Sequence, residues 1–384
     1  MHKRSKRLAP SVLVFGLTLA ILFGLSGCDL SSNSPDPAEI RQDAAQLLIV
    51  GFRGKTVQEA NRIVQDIEQL GIGGVILFDR DVALKSDRNI SNPIQLRQLV
   101  TELQWRAGNS LLVAIDQEGG YVNRLKPDYG FPPTHSALYF GQLDQPEVTR
   151  SEAEQTARTL RGLGINLNFA PVVDLNINPD SPAIGRWERS YSADPEVVIR
   201  QATAVIDAHA EQGVANALKH FPGHGSATAD SHQGFVDITD TWQPVELTPY
   251  RRLVTEGKVP VVMTAHVYNA HLDPEYPATL SRPILTGLLR EEIGFDGLIV
   301  TDDMQMGAIA DEYGLETAIE KALNAGVDML IFANNLEYDP DIARKAVDLI
   351  EQMVLDGRIS AHRLREAADR VCQLKSQLNL ACQP

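Results

Sequence analysis

The sequence predicts an α/β protein built as a single (β/α)8 TIM-type barrel with closing C-terminal helices. Eight short apolar runs rich in β-branched residues alternate with segments of helical periodicity, which is typical of repeated βα units. Each run is almost continuously apolar, as expected for parallel strands that are buried on both faces. No glycine-rich dinucleotide fingerprint follows the first run, and this disfavours the alternative of two doubly wound half-domains.

The elements follow one another regularly along the chain. The predicted strands are residues 46–51, 74–78, 111–115, 166–173, 215–219, 260–265, 297–301 and 328–333. Helices are predicted over 57–70, 93–106, 149–163, 195–211 and 315–325, and residues 341–379 are predicted to form one or two closing helices. Several helices are expected to end at a glycine before the next strand, and these are Gly71, Gly73, Gly164, Gly213 and Gly326.

The beginning of the chain is predicted to be an export signal that is not part of the fold. Four lysines and arginines lie within residues 2–7, and an apolar run over 8–25 leads to Leu-Ser-Gly-Cys at 25–28. A basic start, an apolar centre and small residues before a cut site are typical of a secretory signal peptide. A single membrane-spanning anchor is the alternative, because the run approaches the roughly 20 residues that a span needs.

The Leu-Ser-Gly-Cys ending resembles a bacterial lipoprotein signal, which is cut before a cysteine that then carries lipid. The resemblance implies a signal peptide over 1–27, a lipid on Cys28 and a flexible tether over 28–40, followed by one domain over 41–384. We therefore expect the protein in the cell envelope, anchored to a membrane through Cys28. Asp29, which follows the cysteine, resembles a signal that retains enteric-type lipoproteins at the inner membrane, facing the periplasm.

Composition excludes some partners and leaves one question open. The 50 acidic residues exceed the 35 basic ones, which gives a formal net charge of −15. A protein that binds nucleic acid needs a basic surface, so we expect no nucleic-acid partner. Three cysteines are too few for a disulfide framework. Cys372 and Cys382 flank the end of the last helical segment, and after export they either form a disulfide or remain free thiols.

Polar residues gather at the carboxyl ends of the predicted strands, where barrel enzymes have their active sites. They are Asp116 and Arg124 after the third strand, Asp174, Arg186 and Arg189 after the fourth, Lys219 and His220 at the fifth, His266 at the sixth, Asp302 and Asp303 at the seventh, and Asn334 and Asn335 at the eighth. This set suits an anionic or polyhydroxylated ligand held by charge-assisted hydrogen bonds. Asp302 is the best candidate nucleophile, because it lies on the rigid end of a buried strand.

The loop over residues 223–234 is rich in glycine and is predicted to act as a mobile lid. It contains Asp230 and His232, two positions apart. A turn at Ser231 would let the carboxylate reach the imidazole and fix its tautomer, as in a catalytic pair of base and orienting acid.

A zinc site is the rival interpretation of this loop. His220, His224, His232 and Asp230 are residue types that bind zinc. Their spacing matches no compact ligand motif, and Lys219 would repel a cation. We therefore expect no metal and no cofactor.

Four stretches carry a resemblance to a known family. They are Lys-His-Phe-Pro-Gly-His-Gly at 219–225 with Asp-Ser-His at 230–232, Ile-Asp-Gln-Glu-Gly-Gly at 115–120 with Arg124, Asn-Phe-Ala-Pro-Val-Val-Asp at 168–174, and Val-Thr-Asp-Asp-Met at 300–304 with Met306. Together they resemble the β-N-acetylglucosaminidases of glycoside hydrolase family 3, and the resemblance runs from about residue 45 to 335. The Asp-Ser-His stretch is typical of this branch. The β-glucosidases of the family usually take their acid/base from a second domain, which we do not expect here.

The resemblance implies a role for each site residue. Asp302 would be the catalytic nucleophile and His232 the acid/base, oriented by Asp230. Five residues would surround the terminal sugar, namely Asp116, Arg124, Arg189, Lys219 and His220. Trp187 and Glu188 lengthen the segment before Arg189, and this leaves Arg186 as the alternative to Arg189.

The implied reaction is retaining hydrolysis of a terminal β-linked N-acetylglucosamine from peptidoglycan fragments or chitooligosaccharides. Phosphorolysis is a minor alternative, because a histidine in place of a second carboxylate repels phosphate less. Two further alternatives are a β-glucosidase-like enzyme and a non-catalytic lipoprotein that binds wall glycans.

Overall fold

The structure is a computed structural model that describes residues 36–232 and 234–382. The predicted signal peptide over 1–27, the predicted lipid site at Cys28 and most of the predicted tether lie outside the described residues. The first helix begins at Pro37, so the tether prediction was wrong for residues 37–40. Asp36 caps this helix by accepting a hydrogen bond from the backbone N–H of Ala38 at 3.0 Å. In the described part of the chain, no helix is long and apolar enough to cross a membrane.

Eight parallel strands close into a barrel, which confirms the predicted fold class and all eight predicted strands. They are β1 (Leu48–Gly51), β2 (Gly74–Leu77), β3 (Leu112–Ile115), β4 (Leu167–Asn168), β5 (Ala215–Phe221), β6 (Val261–Thr264), β7 (Leu298–Asp303) and β8 (Met329–Phe332). Each strand pairs with its neighbours in chain order, and β1 closes the ring on β8 with Leu48 opposite Leu330. A short antiparallel hairpin, Arg80–Asp81 with Ser86–Asp87, follows β2.

Helices surround the barrel and connect its strands. They are α1 (Pro37–Gln46), α2 (Asn61–Gln65, continued by a π-helical turn at Asp66–Leu70), α3 (Pro93–Arg106), α4 (Ala137–Leu143), α5 (Pro146–Leu163), α6 (Pro195–Glu211), α7 (Thr248–Thr255), α8 (Gly307–Ala325), α9 (Ile342–Leu355) and α10 (Ala361–Gln377), with a π-helical segment at Pro283–Glu292 before β7. The helices predicted from periodicity are present. Those that the sequence did not predict have 7 to 10 residues, too few for a period of 3.6 residues to repeat clearly.

Glycines end several helices as predicted, with one exception. Gly71, Gly164, Gly213 and Gly326 adopt left-handed backbone after their helices. The prediction for Gly73 was wrong, because Gly71 already ends that helix. Gly73 is required for space, since a Cβ atom there would lie 1.9 Å from the carbonyl oxygen of Gln46. This glycine allows the chain to pass closely beneath the end of α1.

The last helix closes the amino-terminal end of the barrel. Val371, Leu374 and Leu378 pack against side chains that point inward from the strands. Ala381 donates a backbone hydrogen bond to the carbonyl oxygen of Asn109, just before β3. Cys372 forms a disulfide with Cys382, with the two Cα atoms 5.2 Å apart. The opposite, carboxyl-terminal end of the barrel is therefore the end that is available for a site.

Candidate active site

One cavity at the carboxyl ends of the strands is lined by all eight residues to which the family resemblance gives a role in catalysis or sugar binding. These are Asp116, Arg124, Arg189, Lys219, His220, Asp230, His232 and Asp302. They come from β5, β7 and the loops after β3, β4 and β5. Parallel strands bring residues that are far apart in sequence to one edge of the barrel, which is why the site is compact.

A network of opposite charges forms the buried part of the cavity. The Lys219 ammonium group lies 2.8 Å from Asp116 and 2.7 Å from Glu118. Arg189 makes a bidentate pair with Glu118, at 2.7 and 2.9 Å. Burial would raise the pKa of both carboxyls, but the neighbouring cations hold both pKa values below their ordinary range. All four groups are therefore charged, and this fixes their positions.

Glu118 is the member of this network that the sequence analysis did not select. It lies in the motif that contains Asp116, two positions further along the chain. Its side chain is only 7% exposed and contacts both Lys219 and Arg189. The signal available in the sequence was its position on the loop after β3, two residues after Asp116.

Arg189, and not Arg186, enters the cavity. Arg186 lies on the exposed turn Gly185–Trp187. Arg189 is held by the carbonyl oxygen of Ala183 at 2.9 Å, and its NH2 group donates to His220 Nε2 at 3.2 Å. The structure thus places in the cavity the arginine that the sequence analysis preferred.

Asp174 fixes the orientation of His220. The buried Asp174 carboxylate accepts from His220 Nδ1 at 2.7 Å and from the backbone N–H groups of His220 and His224. Burial would raise the pKa of Asp174, but His220 and these hydrogen bonds lower it. Because Nδ1 donates to Asp174, Nε2 is left to accept from Arg189.

Asp302, at the end of β7, is ionised. Burial would raise its pKa, but the nearby His266, His220 and His232 lower it to about 2. One carboxylate oxygen accepts the backbone N–H of Asp303 at 2.8 Å. An ionised, buried carboxylate that faces a cavity has the properties that a nucleophile requires.

His266, the polar residue predicted at the end of the sixth strand, packs behind β7. Its Nδ1 atom lies 2.8 Å from the Thr279 hydroxyl, and Nε2 donates to the carbonyl oxygen of Asp303 at 2.9 Å. Burial lowers its pKa. His266 therefore supports the backbone next to Asp302.

Asp230 and His232 form the hydrogen-bonded pair that the sequence predicted. Asp230 accepts from the His232 backbone N–H at 3.0 Å and from ring atom Nδ1 at 2.8 Å. Burial would lower the pKa of His232, but the bond to Asp230 and the charge of Asp302 raise it above the ordinary value. Because Nδ1 is bonded to Asp230, Nε2 is the ring nitrogen that remains for proton exchange. The imidazole is 52% exposed, so this nitrogen can be reached from the cavity.

The first half of the loop over 223–234, which was predicted to be a mobile lid, is packed against the rest of the domain. His224, Ser226 and Ala227 are all at most 3% exposed. A Cβ atom on Gly225 would lie 1.7 Å from the carbonyl oxygen of Leu175. The first half of the loop is therefore packed. Exposed residues begin at Thr228, so only the part from there onward could move without breaking these contacts, and the lid itself stays a prediction.

The histidines considered for zinc are engaged elsewhere. His220 bonds Asp174, His232 bonds Asp230, and His224 Nε2 lies 3.3 Å from the Ser231 hydroxyl. Over residues 36–232 and 234–382, no three or more His, Cys, Asp or Glu side chains are grouped so as to hold a metal ion.

A family model and related sequences match most of this chain. Residues 39–374 match the family model of the glycosyl hydrolase family 3 N terminal domain. The β-hexosaminidase of Tolumonas auensis is 38% identical over 267 residues, which are 69% of this chain and 76% of that protein. The β-hexosaminidase LpqI of Mycobacterium tuberculosis is 33% identical over 347 residues, which are 87% of this chain and 82% of that protein.

Solved structures agree with the sequence relatives. A glycoside hydrolase family 3 β-N-acetylglucosaminidase from Paenibacillus sp. str. FPU-7 superposes with a TM-score of 0.80 at 34% identity, and the match covers 90% of this chain. The match spans only 64% of the Paenibacillus chain. A β-N-acetylhexosaminidase from Beutenbergia cavernae has a TM-score of 0.79 at 29% identity, with coverage of 88% of this chain and 98% of that chain.

Proposed function

The chain belongs to glycosyl hydrolase family 3, and from that membership we propose that it removes terminal, non-reducing β-linked N-acetylglucosamine from glycans. It is a glycoside hydrolase of the β-hexosaminidase type. One observation carries the proposal for this site. The ionised Asp302 carboxylate and the His232 imidazole, oriented by Asp230, line the same cavity as the charged network around Lys219.

The proposed mechanism has two steps and retains the anomeric configuration. Asp302 attacks the anomeric carbon while His232 donates its proton to the glycosidic oxygen, which leaves with the aglycone. A covalent glycosyl-enzyme forms. The neutral His232 then takes a proton from water, which attacks the anomeric carbon and releases the sugar and the Asp302 carboxylate.

The pKa values of the pair support these roles. Asp302 is ionised well below neutral pH because its pKa is about 2. His232 has a raised pKa, so a protonated fraction is present at neutral pH to act as the acid. Around the terminal sugar, Asp116 would accept from hydroxyl groups while Lys219, Arg124 and Arg189 would donate.

The proposal is tested with 4-nitrophenyl N-acetyl-β-D-glucosaminide and the matching β-D-glucoside, using residues 29–384. We expect turnover of the N-acetyl substrate and a loss of about a thousandfold or more in Asp302→Ala and His232→Ala. His362→Ala, an exposed histidine on α10, is the matched control and should change nothing. A folded wild type without turnover would contradict the proposal, and equal turnover of the glucoside would favour a β-glucosidase-like enzyme.

The natural glycans and the molecule that accepts the sugar from the enzyme also belong to this proposal. We propose peptidoglycan fragments or chitooligosaccharides as the glycans and water as the acceptor. Phosphate is the alternative acceptor, because a histidine acid/base repels an anion less than a carboxylate in its place would. Product analysis with and without phosphate separates the two reactions, since phosphorolysis would give a sugar phosphate that hydrolysis does not give.

For localisation we propose a lipid anchor on Cys28 that holds the domain in the cell envelope, on the periplasmic side of the inner membrane. The basic and apolar start of the chain and the Leu-Ser-Gly-Cys stretch support it. When the full sequence is expressed, a radioactive fatty acid should label the protein, and the labelled protein should be found in the membrane fraction. The Cys28→Ser variant should remain unlabelled. A labelled Cys28→Ser protein would contradict the proposal.

A further inference from the structure

Two exposed aromatic side chains stand at the mouth of the cavity, and the proposed chemistry does not use them. Tyr121 is 63% exposed and Trp187 is 51% exposed, yet both line the cavity that contains Asp302. Their ring centroids are 6.0 Å apart, and the ring planes meet at 73°. We call this pair the aromatic corner. Two large apolar faces beside a polar cavity are an arrangement that suits ligand contact.

Local contacts fix the two turns that carry these rings. Tyr121 lies in a tight turn between the bridged residues Gly119 and Val122. Trp187 ends the short helical turn Gly185–Trp187. The next residue, Glu188, accepts the Ser136 hydroxyl at 2.7 Å and so ties this turn to the start of α4. Neither ring therefore sits on a loose loop.

The charged network of the cavity also connects the two turns. Glu118 lies three residues before Tyr121, and Arg189 lies two residues after Trp187. The bidentate pair of Glu118 and Arg189, only 7% and 12% exposed, joins the two segments directly. The aromatic corner is thus positioned by the same ion pair that shapes the sugar-binding part of the cavity.

We propose that the aromatic corner binds a pyranose ring on the leaving-group side of the scissile bond. This inference rests on the proposed function. A terminal sugar that reaches Asp302 and the network around Lys219 fills the buried part of the cavity, so the leaving group lies toward the mouth. One face of a pyranose carries C–H groups, which pack on the negative face of an aromatic ring. The second ring, turned by 73°, would contact the sugar edge.

The aromatic corner should therefore favour substrates whose aglycone is a sugar ring over substrates whose aglycone has no ring. The test compares a sugar and a ring-free leaving group on one enzyme. N,N′-diacetylchitobiose and N-acetylglucosaminyl-N-acetylmuramic acid carry a pyranose aglycone, whereas trifluoroethyl N-acetyl-β-D-glucosaminide carries none. Release of N-acetylglucosamine gives kcat/KM for each substrate with wild type, Trp187→Ala, Tyr121→Ala and Trp187→Phe.

We expect kcat/KM for the disaccharides to fall in both alanine variants by about tenfold more than kcat/KM for the trifluoroethyl glycoside. Trp187→Phe keeps a ring and should recover part of the loss. Trp105→Ala removes another exposed tryptophan, 78% exposed on α3, and should leave all three values unchanged. The disaccharide with the larger loss identifies the source of the natural aglycone.

Equal losses on all three substrates, or no loss on any, would overturn the inference while leaving the proposed function intact. If wild type releases no N-acetylglucosamine even from the trifluoroethyl glycoside, the proposed function itself fails. Binding of the disaccharides to Asp302→Ala, measured by calorimetry with and without Trp187→Ala, gives a readout that does not depend on turnover. An unchanged affinity there would also contradict the aromatic corner as a binding site.

Discussion

Asp302 and Asp303 are neighbours with opposite environments. Asp302 faces the cavity, and nearby histidines lower its pKa to about 2 although burial opposes this. Burial raises the pKa of Asp303 to about 6, even though it accepts the backbone N–H groups of Gln305 and Ala333. The bond from Ala333, which follows β8, lets Asp303 join the end of β7 to β8.

The pH profile of activity depends on the contact between Asp230 and His232. The carboxylate helps to raise the pKa of His232, so protonated acid persists to higher pH. In Asp230→Asn we expect the alkaline limb of kcat/KM to move to lower pH. The acidic limb, set by Asp302 with its pKa of about 2, lies below pH 4 and should stay in place. Initial rates between pH 4 and 10 measure the alkaline limb, and an unmoved alkaline limb would remove Asp230 from this role.

Elements with a strong local signal were predictable from the sequence, and those defined by contacts were not. Eight buried strands appear as apolar runs, and α3 and α6 begin at the predicted prolines. Strand β4 has two residues, although a longer strand was predicted, because Pro171 has no N–H to donate and interrupts the pairing, which resumes where Val172 bridges Lys219. The burial of residues 224–227 depends on the loop after β4, and no local pattern reports such a contact.

Two glycines inside helices provide a matched test of packing. A Cβ atom on Gly141 in α4 would lie 1.6 Å from the carbonyl oxygen of Tyr191, whereas nothing lies within 4 Å of one on Gly162 in α5. We expect Gly141→Ala to lower the free energy of unfolding by about 1–3 kcal/mol, because backbone must move. Gly162→Ala should raise it by about 0.5–1 kcal/mol, since alanine favours helix. Urea unfolding measures both, and equal effects would show that α4 does not contact Tyr191 closely.

For the whole molecule, closure of the barrel by α10 places one lysine in the interior. Lys375 is fully buried, and its ammonium group lies 2.5 Å from the side-chain oxygen of Gln46. Burial lowers its pKa to about 7. The unfolded chain, with a lysine pKa near 10.5, binds more protons between these two values. Stability due to this group therefore rises with pH above 7.

Removing Lys375 should flatten this dependence. From pH 7 to 9 we expect the free energy of unfolding of wild type to rise by about 2 kcal/mol more than that of Lys375→Met. Lys258→Met, which removes an exposed lysine paired with Asp207, is the control and should behave like wild type. Urea unfolding at pH 7, 8 and 9 gives the comparison. Parallel curves for wild type and Lys375→Met would show that Lys375 is not buried in uncharged form.

For the whole molecule, the candidate site was predictable because the barrel brings its residues to one end. Once eight parallel strands are expected, the residues that follow their carboxyl ends must meet at one end of the barrel. Contacts between loops were not predictable in this way. Glu118 bridges Lys219 and Arg189 only after the loops following β3 and β4 have come together, and the aromatic corner depends on the same pairing.

The central claim is that Asp302 becomes covalently bonded to the sugar, and trapping the intermediate tests it most directly. A fluorinated N-acetylglucosaminyl fluoride forms the glycosyl-enzyme faster than water releases it. Intact mass spectrometry followed by peptide mapping should show one added sugar on the peptide that contains Asp302, and none in Asp302→Ala. An added sugar on another residue, or turnover by wild type with no covalent species and an inverted product, would contradict the account.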